Sequence, residues 1–242
     1  METASSDSAG AMLPERLLML SISEREVRMS VMVTKSSQAY DAIEQLIIFQ
    51  DVPPGSLVTE ADLMAMTGFG RTPLREALQR LASDRMVDIS PRRGIFIPTI
   101  SVESQLSVLE IRRPLEELAV SLAARRRSPD QAHHAKALAD DLTAPPIRDV
   151  RALERLLRKG HELIVVAAHN EYIHGALAPL QGLSRRYWFA NLDAAEESIV
   201  SAACHHHDIL RAVHDGDPLR AAEGSRHLND YLTQHAYRSL HR

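Results

Sequence analysis

The chain has 242 residues with 28 Lys and Arg against 32 Asp and Glu, a formal net charge of −4, and is 45% hydrophobic and 25% charged. That is the balance of an ordinary globular protein with room for two modest domains, and its net charge gives no sign of nucleic-acid binding. A bilayer span is excluded by the longest apolar run, Leu163 to Ala168, and an internal disulfide framework by the single cysteine, Cys204, which fits a reducing cytoplasm.

Residues 1–34 have no clear place in a fold. Thr3 to Ser8 is small and polar, no basic start precedes a continuous apolar core, and Leu17 to Leu20 is the one apolar cluster. The segment is expected to be a poorly ordered extension or the product of an upstream start before Met29 or Met32, with an arm reaching DNA or a partner as the functional alternative.

A first helix is expected from Ser36 to Phe49. Asp51-Val52-Pro53-Pro54-Gly55 is a turn, and Thr59 with Asp62 forms a box-like start to a second helix. Met66-Thr67-Gly68-Phe69-Gly70 is a glycine-containing turn. It opens onto Arg71-Thr72-Pro73-Leu74-Arg75-Glu76-Ala77-Leu78-Gln79-Arg80-Leu81, where Thr72 can cap and Pro73 fits the first turn. Leu74, Ala77, Leu78 and Leu81 recur at helical spacing and predict one buried stripe. The opposite face carries Arg71, Thr72, Arg75 and Gln79, a short surface that suits the major groove, where Arg donates in pairs to guanine or clamps phosphate. Met86 to Ser90 and Ile95 to Pro98 alternate as strands, and Pro91-Arg92-Arg93-Gly94 between them is a hairpin tip with two positive charges.

Beyond Pro98 the pattern is helical throughout. Ser101 caps a helix towards Arg127 with Leu106, Leu109, Leu115, Leu118 and Leu122 on its buried side and a kink expected from Pro114 near Ile111. Ser128-Pro129-Asp130-Gln131 starts the next helix and Ala144-Pro145-Pro146 ends it. Further helices cover about Val150 to Ala168 and Tyr172 to Asn191. Another starts at Asp193, with Glu196 as its box partner, and ends near Gly216; Asp217-Pro218 opens the last. Six helices with short loops predict an all-α antiparallel bundle, so the chain divides into 1–34, 35–99 and 100–242.

The run from about Gln38 to Pro98 resembles the winged helix-turn-helix domain of GntR-family transcription regulators. Its ordered features carry the resemblance: the PPG turn, the glycine turn, the arginine helix and the basic wing. Family members usually carry Arg after the Glu that opens the second helix; here Ala61 follows Glu60. The helical part resembles the FCD group of that family through Glu110-Ile111-Arg112-Arg113-Pro114-Leu115-Glu116, His161 with Asn170, His206-His207-Asp208-Ile209-Leu210 and Arg226-His227-Leu228. Gly160 stands where a Phe is usual.

The resemblance implies DNA-binding residues Arg71, Thr72, Arg75, Gln79, Arg92, Arg93 and Gly94, and a bundle pocket that binds a small organic acid. In that family three histidines and an Asp hold a divalent metal there, which implies His161, His206 and His227 as ligands to Zn²⁺, Ni²⁺ or Mn²⁺. The spacing brings the same residues level: His206 and His227 each lie about ten residues from the turn at Gly216-Asp217, about 15 Å along neighbouring antiparallel helices. The position of the family's Asp is Leu157, and Glu154, two turns before His161, is too far to replace it. A metal-free pocket lined by the three histidines is the alternative. His205 and His207 are expected to face solvent or a neighbouring helix, and His133 and His134 the surface. Arg112, pointing into a bundle, needs an anion: a bound carboxylate, or a salt bridge to Glu116.

One recognition helix offers few base contacts, so a homodimer on a near-palindromic operator is expected. The rival readings are a metal-dependent enzyme built on the histidines, which lacks a placed general base, and a DNA-binding protein that takes no effector.

Overall fold

Thr34 accepts the backbone N–H of Ser37 on its side-chain oxygen, which starts α1 (Lys35–Ile48). The computed structural model describes residues 34–90, 92–143, 149–192 and 196–240. The expectations for residues 1–33, Pro91, the helix end at Ala144-Pro145-Pro146 and the helix start at Asp193 lie outside the described residues.

After α1 come β1 (Leu57–Val58), α2 (Glu60–Thr67), α3 (Arg71–Ser83), β2 (Asp88–Ser90) and β3 (Gly94–Phe96). Thr59 and Asp62 make the expected capping box, each side chain satisfying the other's backbone donor. Gly68 ends α2 in the left-handed conformation at φ 74°, a position that any Cβ would strain. The start of α3 corrects the sequence reading: its N-cap is Gly70, not Thr72, so Thr72 stands exposed inside the first turn. Pro73 still costs nothing there, because the N–H it lacks has no partner within the helix. Leu74, Ala77, Leu78 and Leu81 are buried as the stripe predicts, packing with Ile43 and Ile47 of α1 and Leu63 of α2 in one hydrophobic core.

The sheet is antiparallel in the order β1-β3-β2, with Leu57 opposite Phe96 and Ile89 opposite Ile95. The strand at Leu57 was not anticipated, since two residues carry no alternation. At the other end of the hairpin Gly94 has φ 102°, and a Cβ there would lie 2.7 Å from the Val58 carbonyl oxygen. Only glycine lets β1 approach so closely.

Six helices follow: α4 (Val102–Arg126), α5 (Pro129–Thr143), α6 (Val150–Ala167), α7 (Glu171–Ala190), α8 (Glu196–Asp215) and α9 (Pro218–Ser239). The fold is thus mainly α, a winged helix-turn-helix followed by an all-α bundle. Side-chain caps at Ser101, Asp149, Asn170 and Asp217 set the starts of α4, α6, α7 and α9. The box at Ser128 and Gln131 is reciprocal, as its spacing implies.

α4 contains Pro114 within its length, and one expectation for it changes: of the leucine stripe Leu109 is buried and Leu115 and Leu122 are half-buried against the core, but leucines do not make up the whole inner face. Leu118 is 48% exposed, whereas Gln105, Leu109, Arg112, Glu116, Ala119, Val120 and Ala123 are buried. Polar side chains can take the inner face because each finds a partner there: Gln105 donates to Ser184 Oγ at 3.0 Å, and Arg112 pairs with Glu116.

Several arginines tie the bundle to the winged unit. Arg151 pairs with Asp51 and Arg158 with Asp41, each at 2.9 Å. Arg186, buried between the two, donates to the carbonyls of Met86 and Pro98.

Candidate functional site

Two surfaces of the molecule carry its chemistry, one exposed and one buried. On α3 the side chains of Arg71, Thr72, Arg75 and Gln79 are all exposed, on the face opposite the buried stripe. Arg92 and Arg93 at the hairpin tip are exposed as well. A partner missed in the sequence is Glu60, the first residue of α2. Arg75 Nε lies 2.9 and 3.0 Å from the two Glu60 carboxylate oxygens, so α2 holds this arginine in place across the turn. The signal was the capping box itself, which fixes Glu60 at the start of α2.

The buried surface lies where α4, α6, α7, α8 and α9 meet. Arg112 donates to Glu116 from Nε at 2.9 Å and Nη2 at 3.0 Å, a two-pronged pair in which both side chains are almost wholly buried. Gln181 and Asn229 also donate to the Glu116 carboxylate, at 3.0 and 3.3 Å. Burial alone would raise the Glu116 pKa, but the Arg112 charge and these donors hold it below the usual carboxylate range. The salt bridge expected as the alternative for Arg112 is therefore the arrangement formed.

His161 and His206 face each other, with Nε2 to Nε2 at 3.3 Å. Their partners fix the protons. His206 Nδ1 is 2.8 Å from the Ala202 carbonyl, which only accepts, so Nδ1 carries the hydrogen and Nε2 a lone pair. His161 Nδ1 is 3.2 Å from Arg185 Nη1, which only donates, so the His161 proton is on Nε2 and points at His206, and the longer 3.4 Å approach of Arg112 Nη2 to that Nε2 is a contact of two donors, not a hydrogen bond. An ordered chain results: Arg185 to His161, His161 to His206, His206 to the backbone. Both rings stay neutral. Burial, with Arg112, His206 and Arg185 adding repulsion, drives the His161 pKa well below that of a free imidazole. Burial lowers that of His206 to about 4.

His227 does not join them. It is exposed on α9, and the residue facing the cavity is its neighbour Leu228. The level argument placed it at the right height, but a one-residue offset turns a helical side chain about 100°. The signal was the interval between His206 and His227, which is one residue shorter than the one usual in the family that the sequence resembles. Leu157 also lines the cavity, so apolar side chains stand at the positions where the resemblance calls for an Asp and a third His. Among the described residues no group of three His, Cys, Asp or Glu side chains is arranged to hold a metal ion. Two guanidinium groups, from Arg112 and Arg185, lie 3.4 and 3.2 Å from the His161 ring nitrogens. Two imidazoles are thus committed to each other and pressed by two cations, and with His227 outside the pocket the three histidines do not come together among the described residues.

His205 stacks on Tyr231 with ring centres 5.0 Å apart, and His207 Nδ1 donates to the Ala139 carbonyl at 3.0 Å. His133 and His134 are exposed.

The sequence reading missed Arg185 and weighed Glu154 only as a metal ligand. Arg185 lies in α7 beside Tyr187, Trp188 and Phe189, and a cation inside an aromatic buried stretch is a signal in its own right. Its Nη2 donates to Glu44 of α1 at 2.8 Å, and its Nε lies 3.5 Å from Glu154. Glu154 is fully buried, and burial, reinforced by Glu44 and opposed by Arg185, raises its pKa. The inner cavity at the histidines is about 20 Å³, room for one water-sized guest. A second cavity of about 320 Å³ lies between α1 and α3 on one side and α6 and α7 on the other. His161 and Arg185 line both.

An arginine-faced winged helix-turn-helix joined to a helical bundle with a buried polar pocket defines a transcription regulator. Residues 35–97 match the model for bacterial regulatory proteins of the gntR family and residues 107–230 that for the FCD domain. The chain belongs to the GntR family, in the group that carries an FCD effector-binding domain; the proteins of this family and the relatives found are regulators, not enzymes. An uncharacterized HTH-type transcriptional regulator from the TAR-I ttuE-ttuC' intergenic region of Agrobacterium vitis is 34% identical over 141 residues, 58% of this chain and 77% of that one. The HTH-type transcriptional repressor GlaR of Escherichia coli is 25% identical over 202 residues, 79% of this chain and 91% of that one. A further alignment, to a regulator of Bacillus subtilis, reaches 66% of that protein's length. Among solved structures, E. coli McbR/YncC superposes with a TM-score of 0.67 over 86% of this chain and 100% of that one; at 20% identity the likeness is one of fold.

Proposed function

We propose that the protein is an effector-responsive repressor that binds a near-palindromic operator as a homodimer and releases it when a small organic acid enters the bundle pocket. One observation carries the reading: the α3 face of Arg71, Thr72, Arg75 and Gln79 and the wing arginines are exposed together, while a bundle pocket holds two arginines beside neutral histidines. Arg71, Thr72, Arg75 and Gln79 would read bases and phosphates in the major groove, with Arg92, Arg93 and Gly94 along the backbone. The small reading surface favours two copies per site. Arg112, Arg185, His161 and His206 form the effector pocket in this reading, which is metal-free. The reading divides the chain into 35–99 and 100–242, with the end of the sheet at Phe96 and the start of α4 at Val102 in its support. Repression agrees with the name of the E. coli relative GlaR, and a cytoplasmic location with a chromosomal operator.

Footprinting on DNA upstream of the chain's own gene, with and without candidate acids, tests the proposal. A footprint that weakens with acid supports it; one indifferent to every acid points to a DNA-binding protein without effector. Sedimentation of the complex should give two chains per site, and a tight one-chain complex would refute the dimer.

A further inference from the structure

Arg112 is poorly available to an incoming acid. Its guanidinium is spent on Glu116, whose remaining capacity is taken by Gln181 and Asn229. Arg185 is differently placed. It stands in the wall between the two cavities, with one arm on His161 in the pocket and another on Glu44 in α1 of the winged unit. Glu44 is itself buried, and the close approach is permitted by Gly182, where a Cβ would lie 3.1 Å from the Glu44 carboxylate. The outer cavity, which leads to Arg185, is large enough for a small organic acid, whereas the inner one is not.

We propose that Arg185 is the carboxylate anchor of the pocket and that it exchanges Glu44 for the ligand, so that occupancy is transmitted to α1. The inference rests on the reading that the effector is an organic acid. A carboxylate on Arg185 competes with Glu44 for the same guanidinium and repels both Glu44 and Glu154. Glu44 deprived of its cation is a buried, unpaired charge, a state that proteins do not tolerate. It must move towards water, and α1 moves with it, away from α7 at Gly182. Because α1 packs directly on α3 through Ile43, Ile47 and Leu78, the recognition helix shifts with it. Glu44 is thus an internal stand-in for the effector.

The test uses the full chain, with acetate, lactate, succinate and citrate as probes. Calorimetry measures their binding to wild type, Glu44→Gln and Arg185→Gln, and hydrogen exchange reads the amides of residues 35–48. Removing the competing carboxylate in Glu44→Gln should tighten binding of the acid that binds wild type by about tenfold. Arg185→Gln should weaken it by at least as much, and the acid should speed α1 exchange in wild type but not in Glu44→Gln. Should Arg185→Gln fail to fold, Arg185→Lys takes its place, with the same direction expected. Equal affinity for wild type and Glu44→Gln would overturn the exchange while leaving the organic-acid reading intact. No binding of any of the four acids to either protein would overturn the organic-acid reading, and the exchange with it.

Discussion

Arg75 of the recognition helix is held by Glu60, with its Nε 2.9 Å from one carboxylate oxygen and 3.0 Å from the other. The pair is half exposed and so contributes little to stability, about 0–1 kcal/mol. Its consequence is geometric: Glu60 holds the exposed Arg75 side chain by its Nε at the start of α2. Arg75→Ala is therefore expected to cut operator affinity by roughly 1–3 kcal/mol while the melting temperature hardly moves. Glu60→Ala should lower the ratio of operator to random-DNA affinity and leave random-DNA binding as it was. Wild-type operator affinity in Arg75→Ala would show that this face does not read DNA.

Arg93 sits at the exposed tip of the β2–β3 hairpin, and the proposed reading sets it against sugar-phosphate rather than base edges. Arg93→Ala should weaken binding to all sequences alike and reduce the slope of log affinity against log salt by about one. A loss confined to the operator would instead make Arg93 a base reader. Gly94→Ala should be harsher, since its Cβ would meet the Val58 carbonyl: β1 would lose its register and the melting temperature would fall.

The winged unit was legible because its signals are local. Caps, the glycine turn and the alternation of α3 depend on residues within a few positions of one another, and Thr59, Asp62 and Gly68 do what their spacing implies. Thr72 misled because Gly70 could also serve as the cap. The pocket was legible only in part. Height along a helix is set by counting residues, so His161 and His206 come together as expected; facing is set by angle, and a one-residue interval decides it. His227 fell on the wrong side of that interval and Leu228 on the right one. The inner face of α4 was misread for a different reason. Leucine spacing marks a buried stripe only when polar groups lack internal partners; Gln105 and Glu116 find theirs on other helices, far away in sequence, and Arg112 pairs with Glu116 one turn on.

The two neutral histidines make an acid-sensitive joint. His206 has a folded pKa of about 4 against about 6.5 for a free imidazole, and His161 is lowered as well. Between those values the unfolded chain binds the proton and the folded one does not, so stability rises with pH across the window and falls as pH drops from about 6.5 towards 4. For His206 alone the change is on the order of 3 kcal/mol. Glu116, held low by Arg112 against its burial, adds loss in the same direction at lower pH. Glu154, raised by burial, runs the other way, being more readily protonated in the folded protein. Denaturant melts from pH 4 to 7.5 should show the net slope, and His206→Leu should flatten it. An unchanged slope in His206→Leu would place the acid sensitivity elsewhere.

Metal binding gives the sharpest separation between the family's four-ligand arrangement and the one here. His227 is exposed and does not line the pocket, so His227→Ala should change stability by no more than about 0.5 kcal/mol. Adding Zn²⁺ or Ni²⁺ should leave the melting temperature of wild type where it was, because only His161 and His206 reach the cavity and each already uses its inward nitrogen on the other. The missing ligands are one side chain away at two places. Leu157 lies one turn before His161 on α6, and Leu228 faces the cavity from α9. Changing them together, Leu157→Asp with Leu228→His, supplies a carboxylate and a third imidazole on the lining faces, and the new carboxylate offsets the charge of Arg112 and Arg185. That double variant should gain about 2.7 kcal/mol of stability at a metal concentration a hundredfold above its dissociation constant, seen as a rise in melting temperature that a chelator reverses. A metal-dependent rise in wild type that disappears in His227→Ala would instead mean that α9 rotates to bring His227 inward, and that the three-histidine arrangement is the working one.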